Sequence, residues 1–511
     1  MKGDFSRITF DVTKHFRRVL MQQGRVQLDA DWNEQTAILL HYLQTLAADL
    51  IGPYAGPKDN NGFAIEPIQN ISDDFKIGSG HYYVDGILVE LEGASVPIKI
   101  AQPGEEGLNS KITVSALTIN NIRLKEDQYL EVFAEKTPTV KALVKITHID
   151  LDKLILTVTP PFVKTDDIYM ARLAVTYTTQ DDYPLPLVEK LEDNKTYLAY
   201  LDLWERHITY IEDDNIREVA LGGPDTATRA KLVWQVKTEA LDRQLDLSGF
   251  SSNEVWRKWV VDRLQPANRG MLKARAKQDR KKDTDPCIIS PESSYRGSEN
   301  QLYRVEIHQG GNDKQATFKW SRDNASVVTG ITSNGTELTV DNARGLSAGQ
   351  WLEVTNDGQE LRGEEGTLVK IKKIDCDIVS LDISTAPAPK AALPTDEKWP
   401  TKARLWNSEP IQIIEKDKDN KWITLADGVQ IQFQPSTPVH QYRIGDYWLI
   451  PARVATGDVE WPGDEGNPEA LPPQGVVHHY APIAIINSGD GSITRTIDLR
   501  RRIDPLGVPV E

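Results

Sequence analysis

The feature that most constrains this chain is an internal repeat. Leu117-Thr118-Ile119-Asn120-Asn121-Ile122-Arg123 is followed by Gln128-Tyr129-Leu130-Glu131-Val132, Leu143-Val144-Lys145-Ile146, Ile149-Asp150-Leu151-Asp152 and Leu154-Ile155-Leu156-Thr157-Val158. Further on, in the same order, come Leu338-Thr339-Val340-Asp341-Asn342-Ala343-Arg344, Gln350-Trp351-Leu352-Glu353-Val354, Leu368-Val369-Lys370-Ile371, Ile374-Asp375-Cys376-Asp377 and Ile378-Val379-Ser380-Leu381-Asp382-Ile383. Each copy spans about 45 residues of short alternating strands, the pattern of a small closed or nearly closed barrel that leaves no exposed sheet edge. Gly345-Leu346-Ser347-Ala348-Gly349 supplies turn residues ahead of Trp351.

The two barrels interrupt a framework of different character. Tyr197-Leu198-Ala199-Tyr200-Leu201-Asp202-Leu203-Trp204 and Ile208-Thr209-Tyr210-Ile211 are nearly continuous apolar runs, as expected of strands buried on both faces. The run Thr226 to Leu241 fits a strand or a helix. Residues 386–400 are a proline-rich linker that can continue neither. A chain of 511 residues with 29 Pro and 34 Gly is too long for one core and rich in turns. The expectation is a mainly β, multidomain protein with a short N-terminal helical segment. Its parts are a docking segment with helix and hairpin (1–104), a barrel (105–165), the first part of a β framework (166–325), a second barrel (326–385) and the C-terminal framework (386–511).

The N-terminal segment holds a glycine-centred turn, Gln22-Gln23-Gly24-Arg25, followed by Asp31-Trp32-Asn33-Glu34. Asp31 with Glu34 three residues later predicts a capping-box-like helix start. Trp32, Thr36, Leu39, Leu40, Leu43, Ala47 and Leu50 then recur at helical spacing, and Gly52-Pro53 ends the element. The stripe packs either on its own domain or on a neighbouring subunit. With no catalytic group at a privileged position, Gln22, Gln23, Gly24, Arg25, Asp31, Trp32, Asn33 and Glu34 are the candidate interaction residues. Beyond the helix, Asp85-Gly86 predicts a hairpin within Phe75 to Glu90.

A net charge of −16 argues against nucleic acid and anionic membrane as general partners. One basic island, Arg269, Lys273, Arg275, Lys277, Arg280, Lys281 and Lys282, is expected to be a solvated loop. Two cysteines, Cys287 and Cys376, cannot form a disulfide framework, and no window approaches the ~18 apolar residues of a membrane helix. Synthesis in the cytoplasm without a signal peptide is expected, and no membrane insertion.

No pattern of catalytic or metal-ligating residues rises above background. Arg304, Glu306 and His308 share one face of an alternating strand, where the arginine opposes a cation and a polar sheet face accounts for all three. Glu205-Arg206-His207 and His478-His479-Tyr480 lack zinc spacing, and His81 has no ligand partner. Leu221-Gly222-Gly223-Pro224-Asp225-Thr226 lacks the ending of a phosphate loop. Glu212-Asp213-Asp214-Asn215 and Glu415-Lys416-Asp417-Lys418-Asp419-Asn420 lack an EF-hand loop and are expected to be hairpin tips. Ser321 and Ser326 lie in no nucleophile elbow. No enzyme activity, cofactor or metal is expected.

Met1 to Arg7, Val19 to Gln35, Trp204-Glu205-Arg206-His207, Ala220 to Thr226, Glu299 to His308 and Asp446 to Arg453 together resemble an uncharacterised bacterial family. Its members are commonly encoded in phage-tail-like contractile injection system clusters. The turn and helix at 20–35 are similar to an N-terminal motif of phage baseplate and tail-fibre proteins. The resemblance implies a structural part of a released extracellular particle, at or near its baseplate, spike or fibres. The partners implied are other subunits of that particle and further copies of the chain. An alternative is a glycan- or cell-surface-binding module using the barrel loops, with Tyr129 and Trp351 as equivalent aromatic positions. A third is an injected effector or enzyme.

Overall fold

A computed structural model describes the chain except residues 92, 94, 103–109, 120–121, 136, 162–168, 185–189, 224, 242–246, 266–267, 277–293, 333–334, 387–398, 416–421, 465, 490 and 505–511. The basic stretch Lys277 to Lys282, Cys287, the run Lys416 to Asn420 and most of the proline-rich linker therefore lie outside the described residues. The protein is mainly β and forms two compact units, each assembled from three separate stretches. The first comprises Met1–Tyr42, Trp204–Val233 and Trp259–Val477; the second comprises Leu43–Leu203, Trp234–Lys258 and His478–Glu511.

In the second unit the strands Ser95–Gln102, Ser110–Val114, Tyr129–Ala134, Thr137–Asp150, Ile155–Thr159 and Tyr169–Ala174 close into a six-stranded antiparallel barrel. Ile112, Leu130, Val132, Val144, Ile146, Leu156 and Val158 form its buried core. In the first unit the strands Val328–Gly330, Glu337–Thr339, Trp351–Asn356, Thr367–Asp375, Ile378–Asp382 and Thr401–Trp406 pair in the corresponding order. The copies differ at one seam. There the second has an isolated bridge between Ile331 and Val340, flanked by Thr332 N–H to the Thr339 carbonyl (2.9 Å) and Asp341 N–H to the Gly330 carbonyl (3.1 Å).

The likeness extends to single turns. Gln128 accepts from Lys125 N–H at 2.9 Å, and Gln350 accepts from Ser347 N–H at 2.6 Å, each tightening the turn into its barrel strand. The long strands slip register at the same place, between Ile146 and His148 and between Ile371 and Lys373. Both barrels draw on strands beyond the repeated blocks, from Ser95 to Ala174 and from Val328 to Trp406.

The duplication also begins earlier than the repeat. In one unit Ile65–Pro67 pairs with Phe75–Ile77, with Glu66 opposite Lys76, and the Lys76 ammonium bonds both Glu66 (2.6 Å) and Glu131 of the barrel. In the other, Gln301–Gln309 pairs with Thr317–Ser321, Glu306 lies opposite Lys319, and Lys319 bonds both Glu306 (3.4 Å) and Glu353. Glu131 and Glu353 are equivalent residues facing out of their barrels, buried because the hairpin covers them. A buried carboxylate needs a paired cation, and the hairpin lysine supplies it in each copy.

The first unit's main core joins a five-stranded sheet containing Gln301–Gln309, Thr317–Ser321 and Tyr447–Arg453 to a three-stranded sheet containing Leu272–Ala276 and Val429–Phe433. Phe433 contacts Phe318 and Trp448, with ring centroids at 5.2 and 5.8 Å. In the second unit, Gly80–Val84 and Ile87–Leu91 form the expected hairpin, with Asp85 (φ 48°) and Gly86 (φ 78°) as its two-residue turn. Arg229–Leu241 is a strand, and Tyr197 to Trp204 is buried at every position.

The helix α1 covers Asp29–Ile51 and corrects the predicted start. Asp31 does not precede the helix but sits in its first turn, where its carboxylate accepts from Leu28 N–H at 3.3 Å. Glu34 does not reach back, because the Thr9 hydroxyl holds it at 2.5 Å. Arg304, Glu306 and His308 do form a polar face of the strand Gln301–Gln309, and all three are buried.

Candidate docking site

The N-terminal arm is clipped down at intervals. Lys2 Nζ lies 3.0 Å from Glu306, and Arg304 and Asn324 donate to the Met1 carbonyl. Ser6 N–H donates to Asp29 at 2.9 Å and Val19 N–H to Gln35 Oε1 at 2.9 Å, so the arm runs back along α1. Between and beyond these clips Phe16, Leu20, Met21 and Val26 stand in solvent, Val26 at 84% exposure.

Gln22, Gln23, Gly24 and Arg25 form an exposed turn closed by Arg25 N–H to the Gln22 carbonyl at 3.4 Å. Gly24 has φ 71°, a left-handed conformation in which glycine avoids the strain of a Cβ, although the space around it is open. Trp32 (68% exposed) and Asn33 face solvent, whereas Asp31 and Glu34 are half-buried and bonded within the chain.

Along α1 one side is used and the other is not. Ala30 and Ile38 are buried, His41 meets the Phe10 ring at 5.8 Å, and the backbone at Gln44 and Ala48 abuts Gly86. The opposite side exposes Trp32, Leu39, Leu43 (58%), Leu46 and Leu50 (74%), flanked by Leu40 and Tyr42. Of the two packings the stripe allowed, the described residues do not supply the first. Leu46 was not in the sequence-derived stripe, which steps four residues from Leu43 to Ala47; a step of three from Leu43 reaches Leu46, which lies on the same side as Leu39, Leu43 and Leu50.

The charged constellations are turned inward. Glu212, Asp357 and Glu360 converge closely enough to hold a metal ion, but Lys402 Nζ occupies their centre, 3.1 Å from Asp357 and 2.7 Å from Glu360, and also bonds Glu212. Arg206 adds a second cation, 2.7 Å from Asp357. Burial works against the Lys402 charge, but Glu360, Glu212 and Asp357 hold its pKa above the ordinary lysine value. Glu212 is therefore not a hairpin-tip carboxylate. Burial likewise opposes the Glu306 charge, yet Lys2, Arg304 and Lys319 hold that carboxyl well below its usual range. Glu415, expected at a hairpin tip, is buried and bonds His440 (2.8 Å) and Tyr442. His478 binds Asp202 at 2.7 Å and His81 binds Glu90 at 3.2 Å.

An open groove of about 380 Å³ is lined by Ile65 to Pro67 and Ile493 to Arg495. Its Glu66 is paired with Lys76 and its Arg495 lies 3.3 Å from Asp498. Of the two aromatic candidates, Tyr129 is buried against Ile68 and Ala174, so its ring is not a platform for a surface ligand. Trp351 is half-buried against Ala325, Leu368 and Trp406. Cys376 is exposed and free. Among the described residues no helix is long and apolar enough to cross a membrane.

The chain belongs to a family of unknown function (DUF6519), which it matches over residues 1–113, 177–247 and 251–496. The unmatched stretch 114–176 contains four of the six strands of the first barrel. No curated protein and no solved structure matches the chain.

Proposed function

We propose that this member of a family of unknown function is a non-enzymatic structural component of a phage-tail-like contractile injection particle, at or near the baseplate, spike or fibres. It is made in the cytoplasm and leaves the cell within the released particle. The observation that carries the reading is the N-terminal arm, which is fastened at Lys2, Ser6, Thr9 and Val19 yet presents Phe16, Leu20, Met21 and Val26 outward around the Gln22–Arg25 turn. An apolar segment held in place without a partner of its own suits docking on another subunit. The resemblance of the turn and helix at 20–35 to baseplate and tail-fibre proteins supports the same role. A surface-binding role for the barrels is weaker, since Tyr129 is buried.

Deleting residues 1–35 would be a poor test, because it strips Lys2 from the buried Glu306. Substituting Leu20→Glu, Met21→Glu and Val26→Glu alters only exposed side chains. We expect the variant to fold normally and to be missing from purified particles in immunoblots. Incorporation at the wild-type level would refute the reading.

A further inference from the structure

We infer that the outward face of α1 packs against the same face of a second copy of this chain. Trp32, Thr36, Leu39, Leu43, Leu46 and Leu50 follow one another at intervals of four, three, four, three and four residues, the a/d alternation of a coiled-coil seam. All six are exposed. Such a seam is shaped to receive another helix of the same period, because knobs at a and d fill holes made by equivalent positions on the partner.

The flanks of the seam favour a second copy over an unrelated protein, and two further observations favour association. The positions flanking the seam are Asn33, Gln35, Leu40, Tyr42, Ala47 and Asp49, of which only Asp49 is charged, so identical helices meet almost no like-charge repulsion. Trp32, Leu39, Leu43 and Leu50, each more than half exposed, stand in one row along α1, a contiguous apolar patch of the kind that marks a protein–protein contact. Finally, the helix is already formed on the inner side by Ala30, Ile38 and His41, so association of a short seam bears no helix-nucleation cost. The inference stands on the helix surface alone and does not require the particle reading.

The test is the solution mass of the full chain at high micromolar concentration, by light scattering after size exclusion. The wild type should give a multiple of 57.3 kDa, and Leu39→Glu with Leu43→Glu should reduce it to 57.3 kDa with unchanged circular dichroism. A second measurement covers a variant that misfolds. With Cys287→Ser and Cys376→Ser in the background, Leu46→Cys should cross-link chains under oxidation, whereas the likewise exposed but off-seam Thr45→Cys should not. A monomeric wild type, an oligomer that survives the double substitution, or equal cross-linking at 45 and 46 would overturn the inference. A monomer that still enters particles refutes this inference alone, and an oligomer absent from particles refutes only the particle reading.

Discussion

Lys402 shows how strongly one residue is committed to its surroundings. Its side chain is 2% exposed and answers three carboxylates, the buried side chains of Glu212 and Asp357 and the half-buried Glu360. Replacing it by Met leaves those carboxylates buried with Arg206 as the remaining cation. Breaking a buried charge cluster from one side typically costs about 3–5 kcal/mol. We expect Lys402→Met to lose stability of that order in urea titrations at neutral pH. Glu212 and Glu360 are opposed by burial but held below the ordinary carboxylate range by Lys402, with Arg206 assisting at Glu360. A carboxylate lowered in this way stabilises the fold above its unfolded pKa and ceases to do so as pH falls through the folded value. The deficit of the variant should therefore be largest near neutrality and narrow in acid; a deficit independent of pH would show that packing, not charge, is what Lys402 supplies.

Among elements, two glycines separate backbone strain from steric contact. Gly24 and Gly86 both have positive φ, 71° and 78°, yet a Cβ at 24 meets open space whereas one at 86 would lie 2.0 Å from the Gln44 carbonyl oxygen of α1. Gly24→Ala should cost only the left-handed strain, about 1–2 kcal/mol. Gly86→Ala should cost distinctly more, because the hairpin turn and the helix must separate. Thermal melts of the two variants compare them directly, and equal losses would mean that the helix moves aside freely. The expected Asp85-Gly86 turn was legible because two adjacent positive-φ residues demand such a pair locally. The helix start was less so. The sequence offers Asp31 with Glu34 as a capping pair, and a contact with Thr9, far back in the chain, takes Glu34 out of it.

For the molecule as a whole, two buried histidines contribute to the pH dependence below neutrality, alongside the buried Met1 amine, which burial and Arg304 hold down at about 5. His207 and His308 are each held down at about 4, first by burial and then by a neighbouring cation, Arg404 for His207 and Lys319 for His308. Above the unfolded value of 6.5 both states are neutral and the histidines contribute nothing. Between 6.5 and about 4 the unfolded chain binds two protons that the fold does not, so stability falls with pH, by up to about 3 kcal/mol per histidine. Further into acid Glu353 takes over, its pKa held at about 2 by Lys319 and Lys2 against the effect of burial. The melting temperature should decline more steeply below pH 6.5 than above it, and His207→Gln with His308→Gln should remove that steepening. An unchanged slope would place the proton uptake elsewhere.

The barrels, the hairpin at Asp85-Gly86 and the long helix were determined by the sequence alone, since alternation, turn residues and helical spacing act over windows of a few residues. The tertiary structure decided which side of α1 looks outward, that the duplication reaches back to Glu66–Lys76 and Glu306–Lys319, and that the carboxylates at 212, 306 and 415 are buried rather than solvated. The reason is sequence distance. Lys402 and Glu212 are 190 residues apart, and the two units interleave stretches of chain that no local window joins. A charge beside alternating apolar residues looks the same in sequence whether its partner is water or a lysine brought in from another strand.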